Sequence, residues 1–184
     1  HECPGLAIGF RAAQLARQEV DGNRASDEEL VAIVENDACG VDAIQVLLGC
    51  TFGKGNLIHR DHGKQVFTIF DRKSARGVRL SLRPGAIALD DRQRALMALS
   101  REGRATDREH VELSRLRRHT MDDILSRPFE ELFVVSEATI EAPDKAVVQR
   151  SEICPGCGEP TMPLKMVEHA GQRLCRPCVE SSTD

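Results

Sequence analysis

The chain has 184 residues, 41% of them apolar and 29% charged, the balance of a globular protein with room for one compact domain and a small appendage. Its formal charge is −4 and its aromatic residues are six Phe, with no Trp or Tyr. That argues against a general electrostatic hold on nucleic acid and against a platform of base-stacking rings. No apolar run reaches the ~18 residues of a membrane span, and no secretory signal is visible.

Pro4 opens an apolar-periodic segment in which Leu6, Phe10, Ala13 and Val20 recur at helical spacing, widened by Ile8 and Leu15. Proline suits a first helical position because its missing N–H would be unpaired there anyway, so a helix is predicted over 4–20, ended by Asp21-Gly22-Asn23. Leu30–Glu35 is short, branched and apolar, hence a strand. Asn36-Asp37 then caps a helix over 38–49 that stops at Gly49. Strands follow at 56–59, 65–71 and 77–82, with Asp61-His62-Gly63 as the turn between the first two. Helices are predicted at 90–101, at 106–118 behind a Thr106/Glu109 capping box, and briefly at 122–126 before Pro128. A last strand occupies 132–140, and Pro143 divides a core domain, 1–143, from a cysteine module, 144–184.

The module carries Cys154-Pro-Gly-Cys157-Gly158 and, 17 residues later, Cys175-Arg-Pro-Cys178. Two pairs at this distance form the signature of a structural zinc site. Gly156 and Gly158 relieve the crowding of the turn between ligands. Four thiolates close the coordination shell and leave no position for catalysis. A knuckle, a hairpin of 162–169 with 172–174 about Ala170-Gly171, and a helix over 175–180 together resemble a treble clef. Two disulfides are the alternative, disfavoured by a reducing cytoplasm, where seven cysteines fit metal-bound thiols better.

In the core, Cys3 and Cys39 both fall at the starts of helices, where the positive dipole end favours thiolate. If those ends converge, His1, Cys3, Asp37 and Cys39 form one site, with Asp42 on the same helix face as Cys39. The plain alternative is that both thiols are small buried residues, and this is the reading given to Cys50. His59 and His62 straddle a strand end and a turn and read as exposed polar residues. Gly53-Lys54-Gly55-Asn56 has the wrong spacing for a Walker A loop, although Lys54 beside mobile glycines offers a cation to an anion.

His1-Glu2-Cys3-Pro4-Gly5, Gly9 and Arg11, then Glu35-Asn36-Asp37-Ala38-Cys39-Gly40-Val41-Asp42-Ala43, then Gly49-Cys50-Thr51-Phe52-Gly53-Lys54-Gly55-Asn56, with Asp61, Gly63, Lys64 and Phe67, resemble the FmdE family. That family takes its name from the FmdE component of the molybdenum- or tungsten-dependent formylmethanofuran dehydrogenase of methanogens. Its usual opening, His-x-His-x-Cys-Pro-Gly, is represented by its second His alone, at His1, and truncation accounts for the departure. The resemblance implies an α+β core of order α-β-α-β-β-β with a mixed sheet, similar to the catalytic domain of glyceraldehyde-3-phosphate dehydrogenase, and an auxiliary treble-clef zinc finger. It also implies a homodimer and a Cys/His cluster at His1, Cys3 and Cys39.

Three functional readings follow. The first is a cytoplasmic metal-binding accessory protein of molybdenum/tungsten C1 metabolism, with a structural Zn2+ in the finger, a second ion at the N-terminal cluster, and a partner enzyme complex. The second is an enzyme in its own right, using Cys3 or Cys39, with Asp37 and Lys54 as further catalytic candidates. The third is a regulator binding nucleic acid through the finger. The third is weakened by the finger's charges, five basic against six acidic side chains over 144–184.

Overall fold

The computed structural model describes residues 1–20, 23–138 and 143–182. The chain divides into two compact units, His1–Lys145 and Ala146–Asp184. The turn at Asp21-Gly22 and the last residues of the strand predicted to 140 lie outside the described residues.

The first unit is an α+β fold built on a five-stranded mixed sheet of order β2-β1-β3-β4-β5. β1 (Leu30–Val34), β2 (Leu57–His59), β3 (Val66–Asp71) and β4 (Arg76–Leu82) stand close to their predicted positions. The pairing differs from expectation. β2 and β3 form no hairpin; β1 lies between them, parallel to β2 and antiparallel to β3. Every residue of β1 is buried, as a central strand requires. The segment predicted as a tight turn is instead a crossing loop, anchored where Arg60 and Lys64 N–H groups donate to the Val34 and Glu35 carbonyls at 2.9 Å each.

α1 (Pro4–Glu19) and α2 (Gly40–Leu48) cover one face of this sheet. Leu30, Ala32 and Val34 alternate inward from β1, Phe67 and Ile69 from β3, and Val78 and Leu80 from β4. Burying Phe67 completely contributes roughly 1.5–3 kcal/mol. α1 meets the sheet through Ile8, Ala12, Leu15 and Ala16. Phe10, counted on the buried face from its spacing, is 37% exposed. α2 begins at Gly40 with Cys39 at its N-cap, and the Asn36 side chain turns back to accept the Ala38 N–H at 3.0 Å. It ends at Gly49, whose φ of +69° is left-handed, a conformation glycine takes without strain.

α3 (Asp91–Arg101) is joined to α4 (Asp107–Ser126) by a bidentate Arg92–Glu112 pair at 3.0 and 2.6 Å. The Thr106/Glu109 capping box is present. α4 is one continuous helix where two were predicted. No glycine or proline interrupts 119–121, and Leu113, Met121 and Ile124 all turn toward the core. Pro128 forces Arg127 into extended backbone and ends it. A single turn, α5 (Phe129–Leu132), precedes β5 (Phe133–Glu137), which starts one residue later than expected. Among the described residues no helix is long and apolar enough to cross a membrane.

In the second unit, β6 (Glu152–Ile153) and β7 (Pro160–Thr161) pair around the first Cys-x-x-Cys turn. Both are too short for alternation to reveal. Pro163 opens a 3-10 turn (Pro163–Lys165), so the first arm of the predicted hairpin shrinks to β8 (Val167–His169), paired with β9 (Gln172–Leu174). Ala170 and Gly171 at the tip both have positive φ, +48° and +79°, which suits a tight hairpin turn. α6 (Arg176–Ser181) follows, with Cys175 at its N-cap.

Candidate metal centres

The N-terminal centre exists because two helices touch at glycines. A methyl group at Gly9 would sit 2.0 Å from the Gly40 carbonyl oxygen, and one at Gly40 would sit 3.1 Å from the Gly5 oxygen and 3.2 Å from the Phe67 ring. α1 and α2 therefore cross backbone to backbone, one turn and a half beyond Cys3 and one residue beyond Cys39. This crossing brings the two N-caps side by side. One donor atom each from His1, Cys3 and Cys39 lies within 4.8 Å of the others, near enough to share one ion. The Cys3 sulfur also accepts the Leu6 N–H at 3.3 Å.

Position at a helix start does not by itself make Cys39 a thiolate. Its pKa is raised, first by the hydrogen bond with Cys3, then by burial and the charge of Cys3, and these outweigh the backbone N–H that lowers it. A metal bound here would have to displace the proton that Cys39 retains.

Of the other sequence candidates, Asp37 and Asp42 are exposed and stand outside the three-donor set. They line an adjoining cavity of about 370 Å³ with Cys39, Asn36 and His59. Lys54 turns away from the cluster: its ammonium donates to the Asp27 carbonyl at 2.7 Å and faces that of Ala25 at 3.4 Å. The fully buried Asn56 accepts the Thr51 N–H at 2.9 Å and donates to the Leu30 and Asp27 carbonyls at 2.9 and 3.2 Å. The Gly-Lys-Gly-Asn run thus latches the loop before β1 and offers no anion cradle. Cys50 is a fully buried core thiol, its pKa pushed up to about 12 by burial. His59 is exposed; His62 is too, but its Nδ1 lies 3.1 Å from Glu35, which also takes Arg79 at 3.1 Å. Burial pushes the Glu35 pKa up, and the hydrogen bonds from His62 and Arg79 bring it below the ordinary value. Sequence spacing gave no hint of this triad, since its members sit on three separate segments.

In the second unit, single sulfurs of Cys154, Cys157, Cys175 and Cys178 lie within 4.8 Å of one another. Cys157 and Cys175 sulfurs are 3.8 Å apart and all seven cysteines are free. Thiolates ~2.3 Å from a tetrahedral ion sit about 3.8 Å apart, whereas a disulfide needs ~2.05 Å. The donor set fits a metal such as zinc. A methyl at Gly156 would fall 2.9 Å from the Cys178 sulfur, and Gly158 has φ +76°, so one glycine serves close approach and the other chain reversal. Cys154 is held down to about 6 by N–H groups of Cys175, Cys157 and Gly156. Cys178 is pushed up to about 12, first by its hydrogen bond with Cys175, then by burial. Cys154 thus gives up its proton more readily than Cys178, and a metal bound there would compete with the proton on Cys178.

The family model described as FmdE, molybdenum formylmethanofuran dehydrogenase operon, matches residues 1–134. The chain belongs to the FmdE family. A crystal structure of a tungsten formylmethanofuran dehydrogenase FmdE-like protein from Syntrophus aciditrophicus matches with a TM-score of 0.60 at 20% identity, covering 98% of this chain and 85% of that one. At that identity the likeness is one of fold, and it agrees with the mixed-sheet FmdE core. A curated relative from Archaeoglobus fulgidus, named a probable S-adenosyl-L-methionine-binding protein, is 32% identical over 190 residues, covering 98% of this chain and 50% of the relative. The chain thus spans about half the length of that relative.

Proposed function

We propose that this FmdE-family chain is a metal-binding accessory protein of molybdenum/tungsten C1 chemistry, with an exchangeable ion at His1, Cys3 and Cys39 and a structural zinc in the finger. The observation that carries the reading is the three-donor cluster, set within 4.8 Å by the Gly9–Gly40 crossing. A four-thiolate set closes a tetrahedral shell and stabilises a fold; a three-donor set leaves a position open for a further ligand and supplies Lewis acidity there. The chain's own residues divide the work. Cys3 is oriented by the Leu6 N–H, Cys39 by the turn that begins α2, and the exposed His1 completes the set. The four-cysteine unit, with its knuckle, hairpin and short helix, is read as a treble clef acting as a separate domain from the core. A homodimer, docking to a dehydrogenase complex and a cytoplasmic setting belong to the same proposal.

The test is metal stoichiometry by elemental analysis on the full chain. Two equivalents are expected, falling to one zinc in Cys3→Ser and in Cys39→Ser with the fold retained. One zinc per chain both before and after substitution refutes the reading. The rival, a metal-free thiolate nucleophile, is disfavoured at Cys39 because Cys3 holds its proton, and Lys54 is occupied by backbone carbonyls.

A further inference from the structure

A second cavity meets the cluster at Cys3. It is a groove of about 540 Å³ between α1 and α4, with Cys3 in its wall, a volume within the range of small-molecule sites. The two helices run the same way along it: Glu2 lies 3.8 Å from Arg118 at one end, and Arg11 donates to the Arg127 carbonyl at 2.6 Å at the other. Its walls are Leu6 and Phe10 from α1 and Met121 and Leu125 from α4, each pair on one helical stripe. Phe10 and Leu125 remain 37% and 42% exposed, so two large apolar side chains face open space beside a metal-ligand sulfur.

We propose that this groove binds the apolar body of a small organic anion whose donor head, a thiolate or a carboxylate, takes the open position of the ion held by His1, Cys3 and Cys39. The inference rests on the metal reading above. The head belongs to the ion because the groove's lining carries no net positive charge: Arg11 and Arg118 are balanced by Glu2 and Asp122, and the Arg11 guanidinium already donates to the Gln14 side chain and the Arg127 carbonyl. The body must be apolar because the middle of the groove is four apolar side chains. Arg11 and Gln14, hydrogen-bonded to each other at 3.0 Å, line the groove beyond the apolar stretch.

The test uses the full chain loaded with Co2+, whose visible spectrum responds when an outside ligand joins an open site and stays unchanged at a closed four-cysteine site. Ethanethiol and hexanethiol are titrated, with acetate and hexanoate in parallel to separate a sulfur head from an oxygen one. Each methylene that enters the groove strengthens binding about fourfold, so a long-chain preference of at least ~10-fold is expected in one series or the other. Phe10→Ser and Leu125→Ser, both at the exposed rim, are expected to erase that preference and leave the short ligand's affinity unchanged. Equal affinity for long and short chains, or a preference that survives both substitutions, overturns the groove while two bound cobalt ions uphold the metal centre. A single cobalt per chain overturns the metal centre and the groove with it.

Discussion

Gly9→Ala is the smallest change that separates the N-terminal ligands without touching any of them. The added methyl would lie 2.0 Å from the Gly40 carbonyl oxygen and 2.5 Å from its carbon and Cα. Ordinary contact begins near 3.4 Å, so α1 and α2 must part by about 1.4 Å. The obstacle is backbone inside a helix, which cannot rotate away as a side-chain tip would. Overpacking of this kind costs about 1–3 kcal/mol, and the better helix propensity of alanine returns about 0.8–1 kcal/mol. Net stability therefore falls by only about 0–2 kcal/mol. Metal binding is far less tolerant, because a zinc–sulfur bond near 2.3 Å accepts only ~0.2 Å of error. We expect the substitution to remove the second metal equivalent while the finger keeps its zinc. Gly5→Ala is the control: its methyl would stand 3.6 Å from Cys39 Cβ and 3.8 Å from Cys3 Sγ, ordinary contacts that leave both ions bound. Elemental analysis and competition with a chromophoric chelator read the outcome. If Gly9→Ala binds two ions as tightly as the parent, or if both alanines lose the ion alike, the crossing is not what assembles the centre.

The remaining expectations follow from single sites. Asn56→Ala strips three hydrogen bonds from a fully buried amide and should cost about 2–4 kcal/mol in urea unfolding; a loss under 1 kcal/mol means the loop before β1 is held otherwise. Glu35 has a lowered pKa, so its stabilisation is complete above the ordinary carboxylate range and disappears as pH falls through its folded value. Glu35→Gln should therefore lower stability at neutral pH and flatten the acid limb of the stability profile, and an unchanged limb contradicts the triad. A strong chelator should make 146–184 sensitive to limited proteolysis, because among its described residues only Cys154, Leu174 and Cys175 are buried. The core unit should stay resistant, and equal resistance of both units speaks against a metal-dependent finger.

Much of this was legible in the sequence, and the failures have physical reasons. The four finger cysteines announced themselves by spacing, since ligand pairs that clasp one ion must be short-range within each pair. α1, β1, α2, β3 and β4 were readable because their apolar periods persist over five or more residues. Strand order was not readable: β2 is three residues long, and nothing local distinguishes a hairpin from a loop that crosses the end of β1. Phe10 was misplaced because periodicity marks a residue as apolar without saying whether a neighbour covers it. Lys54 suggested anion binding beside two glycines until its carbonyl partners, Ala25 and Asp27, appeared from almost thirty residues upstream. The N-terminal cluster was half visible. Cys3 and Cys39 could be placed at helix starts, but their meeting depends on Gly9 against Gly40, a contact between segments that no window along the chain contains.

The two centres reverse cause and effect. Among the described residues of the finger the buried core is two cysteines and one leucine, too little to fix a chain of that length without an ion, so on the proposed reading a bound metal would organise the fold. At the N-terminus the order runs the other way: α1 and α2 are already fastened over Phe67, Ile44 and Leu48, all fully buried, and the fold would organise any metal bound there. An ion that holds no fold together can leave, be replaced or accept another ligand without unfolding its surroundings. On the proposed reading, exchange chemistry would therefore belong at His1, Cys3 and Cys39 and permanence at the four cysteines of the finger. Graded chelation should accordingly draw off the N-terminal ion first, with no loss of helical signal from the core; simultaneous loss of both ions with a single unfolding transition would contradict this division.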